Sequence, residues 1–314
     1  MVFIIFFSQY KIQDGIPILI GDESYDLQKQ FFQQHPTNNE KQVFLIGSSQ
    51  IIALNTTFID NYLEKHNHIF HIYNLAYNSD QPKERLKTID MLISAKPDIV
   101  MYGIAPRDFQ RNGLLISSSQ PSSFLPDPQV ISQEITNGIE QNLGIDLDFL
   151  ASPKLITLQD IKQITKEKSP YTEFFPYPDI FVKVDEKSFK IRSNDELKTL
   201  IPLTTPITSI DVKENDNEIA LEKIIEKFKK NNIEVIIISV PQSRVYLDTM
   251  SESYKISFDS ILDSISRTSN VKIIRLDDKY ADFHIWTDPM HIAIGNSTIY
   301  SEDVAKAILN KVTS

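Results

Sequence analysis

Two short stretches near opposite ends of the chain carry the residue types that could do chemistry together. The first is Gly47-Ser48-Ser49, which follows the apolar run Val43-Phe-Leu-Ile46 and precedes a long amphipathic segment. A parallel strand covered on both faces reads as such a near-continuous apolar run. Residues just past its carboxyl end face the crevice where open α/β sheets bind ligands. A serine hydroxyl there can act as a nucleophile once a base takes its proton, although glycine and serine also suit a tight turn with a capped helix. The second stretch is Asp288-Pro-Met-His291, just before the last amphipathic segment. A carboxylate and an imidazole three residues apart on a loop can fold so that the acid accepts a hydrogen bond from one ring nitrogen while the other faces a nucleophile. The same pair could bind a metal or stabilise a turn.

The elements that must position these residues alternate along the chain. Strands are expected at 43–47, 69–75, 98–104, 234–240 and 271–276. Helices are expected over 50–65, where Ile51, Ile52, Leu54, Phe58, Ile59, Tyr62 and Leu63 form an apolar stripe, then after Pro82, and over 218–230, 253–266 and 296–311. Strand and helix in alternation are the signature of right-handed βαβ crossovers. The fold expected is therefore α/β, a three-layer αβα sandwich around a five-stranded, mainly parallel, flavodoxin-like sheet. Residues 1–40 read as an amino-terminal arm and 41–314 as a single α/β domain. Between about 110 and 215 the alternation is lost amid proline, serine and aromatic residues, and an insertion is expected. Such an insertion could form a lid or substrate wall, or decorate the surface.

Bulk composition narrows the partners. A formal net charge of −10, with no basic stripe, argues against nucleic acid and favours a small or neutral substrate. The chain has no cysteine, which rules out disulfides, thiolate metal sites and a cysteine nucleophile. His66, His68 and His71 straddle a helix end and a strand start, so their side chains need not converge on a metal. No cofactor and no metal are expected. Met1-Val-Phe-Ile-Ile-Phe-Phe7 is apolar but too short to span a bilayer. It reads equally as the remnant of a membrane anchor or as a docked strand, so peripheral or anchored membrane association stays open.

Taken with the strand order, these blocks resemble the SGNH, or GDSL-like, hydrolase family, over roughly residues 43–109 and 216–312. That family has a nucleophilic serine in a Gly-Asp-Ser turn after the first core strand, a glycine after the second, an asparagine after the third, and Asp-x-x-His near the end. The resemblance implies Ser49 as nucleophile, with Ser48 where aspartate is usual, and Asp288 and His291 as the other catalytic residues. In the second block, Asn74-Leu-Ala-Tyr-Asn78-Ser79, Ser79 stands in place of glycine, and Asn78 and Ser79 would border the oxyanion or substrate. The third block departs further: Arg107 replaces the asparagine and Asp108 keeps the following acid. A guanidinium there could donate to an oxyanion, pair with Asp108 or bind an anionic group of the substrate. The resemblance implies a serine esterase or O-acyltransferase acting on a small acyl ester or O-acylated glycan. It is closest in style to extracytoplasmic acyl-transfer proteins such as the D-alanylation protein of teichoic acid synthesis. The rival expectation is a non-catalytic carbohydrate-binding or scaffold protein that keeps the fold.

Overall fold

The computed structural model describes residues 41–77, 79–110, 189–201 and 209–313. The amino-terminal arm, most of the insertion and Asn78 lie outside these residues. The five expected strands form one sheet: β1 (Gln42–Gly47), β2 (His71–Asn74), β3 (Ile99–Ile104), β4 (Glu234–Ser239) and β5 (Lys272–Arg275). They pair in the order β2-β1-β3-β4-β5, and every pairing is parallel. All six residues of β1 and all six of β3 are buried, which explains their unbroken apolar sequences. The outermost strands, β2 and β5, are the shortest, at four residues each.

Helices cover both faces. On one side α2 (Thr56–Lys65) packs against α8 (Thr298–Thr313); on the other, α5 (Asp216–Lys230) packs against α3 (Pro82–Ala95) and α7 (Glu252–Ser269). The short helices α1 (Ser49–Ile52), α4 (Asn194–Leu200) and α6 (Arg244–Leu247) complete the set among the described residues. The α/β expectation with a flavodoxin-like strand order is thus met. The order reverses direction at β1 and β3, and at such a switch point the diverging crossovers open a crevice above the carboxyl ends of the strands.

The first crossover differs from expectation. The sequence predicts one helix over 50–65, but the chain forms α1, breaks at Ala53-Leu54 and restarts as α2. Asn55 causes the restart: its side chain accepts a hydrogen bond from the Phe58 N–H (2.8 Å), a side-chain cap that competes with continuing the helix. The apolar stripe hides the break because Ile51 before it, Leu54 within it and Ile59 after it are all fully buried.

Gly47 and Gly103 are register partners on β1 and β3. Gly47 has φ +136°, and a Cβ there would lie 2.5 Å from the Gly103 carbonyl oxygen. A Cβ on Gly103 would collide with the end of the Ile51 side chain. These two glycines let α1 settle onto the end of the sheet. Gly103→Ala is therefore expected to destabilise the fold by about 1–3 kcal/mol through overpacking, read as a lower urea midpoint at unchanged slope. An unchanged midpoint would mean that Ile51 yields without cost.

Candidate active site

Ser49 is the first residue of α1, directly beyond the β1 terminus. Ser48 is buried and begins the helical turn with extended backbone, its carbonyl accepting from the Ile51 N–H (2.9 Å), whereas Ser49 is half-exposed. The first N–H groups of a helix have no intrahelical acceptor, so α1 itself does not consume the Ser49 N–H.

The loop before α8 brings the imidazole to this serine. Ser49 Oγ lies 2.7 Å from His291 Nε2, and His291 Nδ1 lies 2.9 and 2.8 Å from Asp288 Oδ1 and Oδ2. Burial opposes ionisation of Asp288. Hydrogen bonds from the His291 ring, attraction to that ring's charge and the backbone N–H groups of Met290 (2.8 Å) and His291 (3.0 Å) outweigh it, holding the carboxyl below its ordinary value. An ionised Asp288 can only accept, so the ring proton belongs on Nδ1 and Nε2 is left to accept the Ser49 hydroxyl proton. The three residues form a relay with the polarity that nucleophile activation needs.

Three side chains from elsewhere in the chain hold this loop by its carbonyl groups. Gln50 Nε2 donates to the Met290 carbonyl (3.0 Å), and Ser243 donates to the Pro289 carbonyl through both Oγ (2.6 Å) and N–H (3.3 Å). Arg192 donates through its backbone N–H to the Trp286 carbonyl (2.9 Å), and its guanidinium donates to the Thr287 carbonyl and to Thr287 Oγ1 (3.2 Å). Two of the three are invisible to sequence reasoning. Gln50 adjoins the serine and gives a local hint, but Ser243 and Arg192 reach the loop only through the fold.

The segment after β2 lies beside the end of β1, where the Tyr77 N–H reaches the Gly47 carbonyl. Ser79 has φ +61°, a left-handed conformation unusual for a residue with a side chain, so it adopts backbone geometry natural to glycine. Its N–H has no acceptor among the described residues. The turn is organised around the buried Arg85 guanidinium, which donates to Asp80 Oδ2 from Nε (2.8 Å) and Nη2 (2.5 Å) and to the Leu75 carbonyl (3.2 Å). The Tyr77 ring stacks on it at 4.2 Å, and the Tyr77 N–H donates to the Gly47 carbonyl (3.2 Å). The sequence-predicted apolar stripe of α3 overlooked Arg85 because its charge suggests an exposed position, yet it is 1% exposed.

Arg107 and Asp108 lie in the 3₁₀ turn Pro106–Phe109 that follows β3. The Asp108 carboxyl is turned into the fold, where Oδ2 accepts from the Ala105 N–H (2.7 Å), so it braces the turn rather than facing the serine. The Arg107 guanidinium rests against the loop bearing His291, with Nη1 3.8 Å from Met290 Sδ. Asn78 is outside the described residues. Among those residues, no group of three or more His, Asp or Glu side chains could hold a metal ion, and His66 instead bonds the Tyr62 carbonyl at 2.7 Å and stacks on that ring.

No protein-family model and no curated protein matches the sequence. Among solved structures, the chain is similar to the psychrotrophic esterase EstA from Pseudoalteromonas sp., at 9% identity over 88% of this chain and 100% of that one, with a TM-score of 0.45. It is also similar to the acetyl xylan esterase AlAXEase (11% identity, 85% and 99% covered, TM-score 0.42) and to TesA (8%, 84% and 96%, 0.42). Likenesses this slight carry no argument about activity.

Asp108 makes the site region sensitive to pH. Burial pushes its carboxyl up to about 7, against the pull of Arg107 and the Ala105 N–H. The unfolded chain loses this proton near pH 4 and the folded chain near 7, so stability is fully present at low pH and falls between about 4 and 7. The penalty above pH 7 is on the order of 4 kcal/mol. Asp108→Asn keeps an acceptor for the Ala105 N–H and removes the charge. Its unfolding free energy is expected to match the parent at pH 4 and to exceed it at pH 8. Equal stabilities at pH 8 in urea titrations would show that Asp108 carries no such penalty.

Proposed function

We propose that this protein is a serine esterase or O-acyltransferase of the SGNH type. The observation that carries the reading is the continuous Ser49–His291–Asp288 relay, with 2.7 Å between Oγ and Nε2. His291 takes the hydroxyl proton as Ser49 Oγ bonds to the ester carbonyl carbon, and Asp288 stabilises the imidazolium and fixes its tautomer. The negative charge moves to the carbonyl oxygen, where the N–H groups of Ser49 and Ser79 are the donors at hand. Collapse of this intermediate expels the alcohol, which receives its proton from His291 and leaves an acyl-Ser49. Water or a sugar hydroxyl, deprotonated by the same imidazole, then attacks the acyl carbon and releases Ser49.

The substrate we assign is a small acyl ester or an O-acylated cell-surface glycan. The reading extends to an extracytoplasmic protein, membrane-associated or secreted, in the style of the D-alanylation-protein branch. Gly47-Ser48-Ser49 supports that placement. Among the described residues no helix is long and apolar enough to cross a membrane.

A fluorophosphonate probe is expected to label Ser49, identified by peptide mass mapping, and labelling is expected to vanish in Ser49→Ala. On p-nitrophenyl acetate, Ser49→Ala and His291→Ala are each expected to lower kcat by roughly a thousandfold or more, with unchanged circular dichroism. Folded parent protein that neither labels nor hydrolyses the ester would instead point to the non-catalytic carbohydrate-binding reading.

A further inference from the structure

We propose that Arg107 binds a negatively charged group on the substrate, so that the site prefers acidic acyl esters to neutral ones. This deepens the serine-esterase reading and rests on it. Arg107 lies in the first turn beyond β3, at the switch point where β1 also ends. Its guanidinium touches the residue preceding His291, since Nη1 lies 3.8 Å from Met290 Sδ. Two further contacts bind this corner together: the Met290 carbonyl is held by Gln50, and Gln50 follows Ser49 directly. The cation therefore lies against the loop that carries His291.

Its partners do not satisfy it. A guanidinium offers five N–H donors in a planar fork suited to an anion, and the side chain is only 16% exposed. The thioether of Met290 is a weak acceptor. The nearest carboxylate atom, Asp108 Oδ1, is 3.9 Å from Nε, beyond hydrogen-bond range, while Oδ2 is engaged by the Ala105 N–H. Arg85 makes the contrast plain, because it makes three hydrogen bonds to oxygen acceptors and carries a stacked ring. A second unpartnered group belongs to the same corner. Tyr246 is 1% exposed, its hydroxyl has no hydrogen-bond partner among the described residues, and the charges of Arg107 and Asp108 both act on it. A part-buried cation against the His291 loop, with an orphaned phenol within reach of its charge, offers donors to an oxyanion such as a carboxylate. The net charge of −10 does not prevent this, because salt screens charges beyond about 10 Å while a part-buried contact is screened far less.

The test compares p-nitrophenyl half-esters of glutaric and adipic acid with p-nitrophenyl pentanoate and hexanoate, after subtraction of spontaneous hydrolysis. The parent protein is expected to favour the half-esters by about tenfold or more in kcat/KM, mainly through KM, as charge-assisted hydrogen bonds would give. Arg107→Gln is expected to bring that ratio towards one, Arg107→Lys to keep part of it, and Arg107→Glu to invert it. A parent without preference overturns the proposal. So does an Arg107→Gln variant that slows both ester classes equally, which would place the guanidinium at the scissile carbonyl instead. Hydrolysis of both classes that survives Ser49→Ala overturns the serine-esterase reading and this proposal with it.

Discussion

The close contact of Gly47 with Gly103 is the constraint on which the rest of the site depends. Two adjacent strands end at the same level, and the absence of side chains at both positions leaves room for Ile51 to press down between them. The left-handed region entered at Gly47 turns the chain abruptly, so that α1 begins two residues later with the half-exposed Ser49. Because Ile51 is anchored, the Ile51 carbonyl has a fixed position and accepts from Asn74 Nδ2 at 3.0 Å. Asn74 ends β2, and its Oδ1 accepts from the Ala76 N–H (3.2 Å). One close packing therefore sets both the nucleophile turn and the start of the segment that carries Ser79.

The segments that carry Ser79 and His291 are held in different ways. The Ser79 side is organised by a buried ion pair, Arg85 with Asp80, each about 1% exposed. Such a pair contributes little net stability, because the desolvation of both charges offsets their attraction, but it strongly disfavours any arrangement that separates them. It can therefore hold a left-handed residue that local preference resists. The His291 side has no regular structure between Trp286 and Ile292 beyond one antiparallel bridge. There, order comes from side chains that occupy three of the loop's carbonyl groups, those of Thr287, Pro289 and Met290. Donors of this kind leave the loop little freedom to rotate and keep the imidazole aligned before any substrate arrives.

The sequence conveyed whatever was local or periodic. β1, β3 and β4 were legible because strands buried on both faces cannot alternate polar with apolar residues, and Asp288-x-x-His291 was legible because the acid and the base share one loop. The break in the first crossover was harder, since the stripe through Ile51, Leu54 and Ile59 continues in phase across it; only the Asn55 cap marks the restart. Arg85 was hidden by its charge, because periodicity treats arginine as exposed and burial of this one depends on Asp80 five residues earlier. Arg192 and Ser243 were illegible, since nothing near them in sequence records the carbonyl groups they reach. Arg107 was visible as a departure from the family pattern, but its weak partners emerged only from the geometry.

The return limb of the insertion ties these levels together. An excursion of this length between β3 and α5 would leave the ends of a long loop to be closed by the sheet alone, at an entropic cost that grows slowly with loop length. The chain instead closes its base locally: Gln110 bridges Ile210 in an antiparallel pair, and Asn215 Nδ2 donates to the Phe109 carbonyl at 2.7 Å. The cost of closure therefore falls at the neck, and β3 and β4 can pair as if they were joined by a short crossover. A second attachment lies further up the limb, where Leu197 of α4 is buried in the core and Arg192 holds Trp286 and Thr287. Closing the neck requires only the first attachment. The second grips Trp286 and Thr287, immediately before Asp288, so the described part of the limb helps to hold the backbone of the loop that carries the acid–base pair.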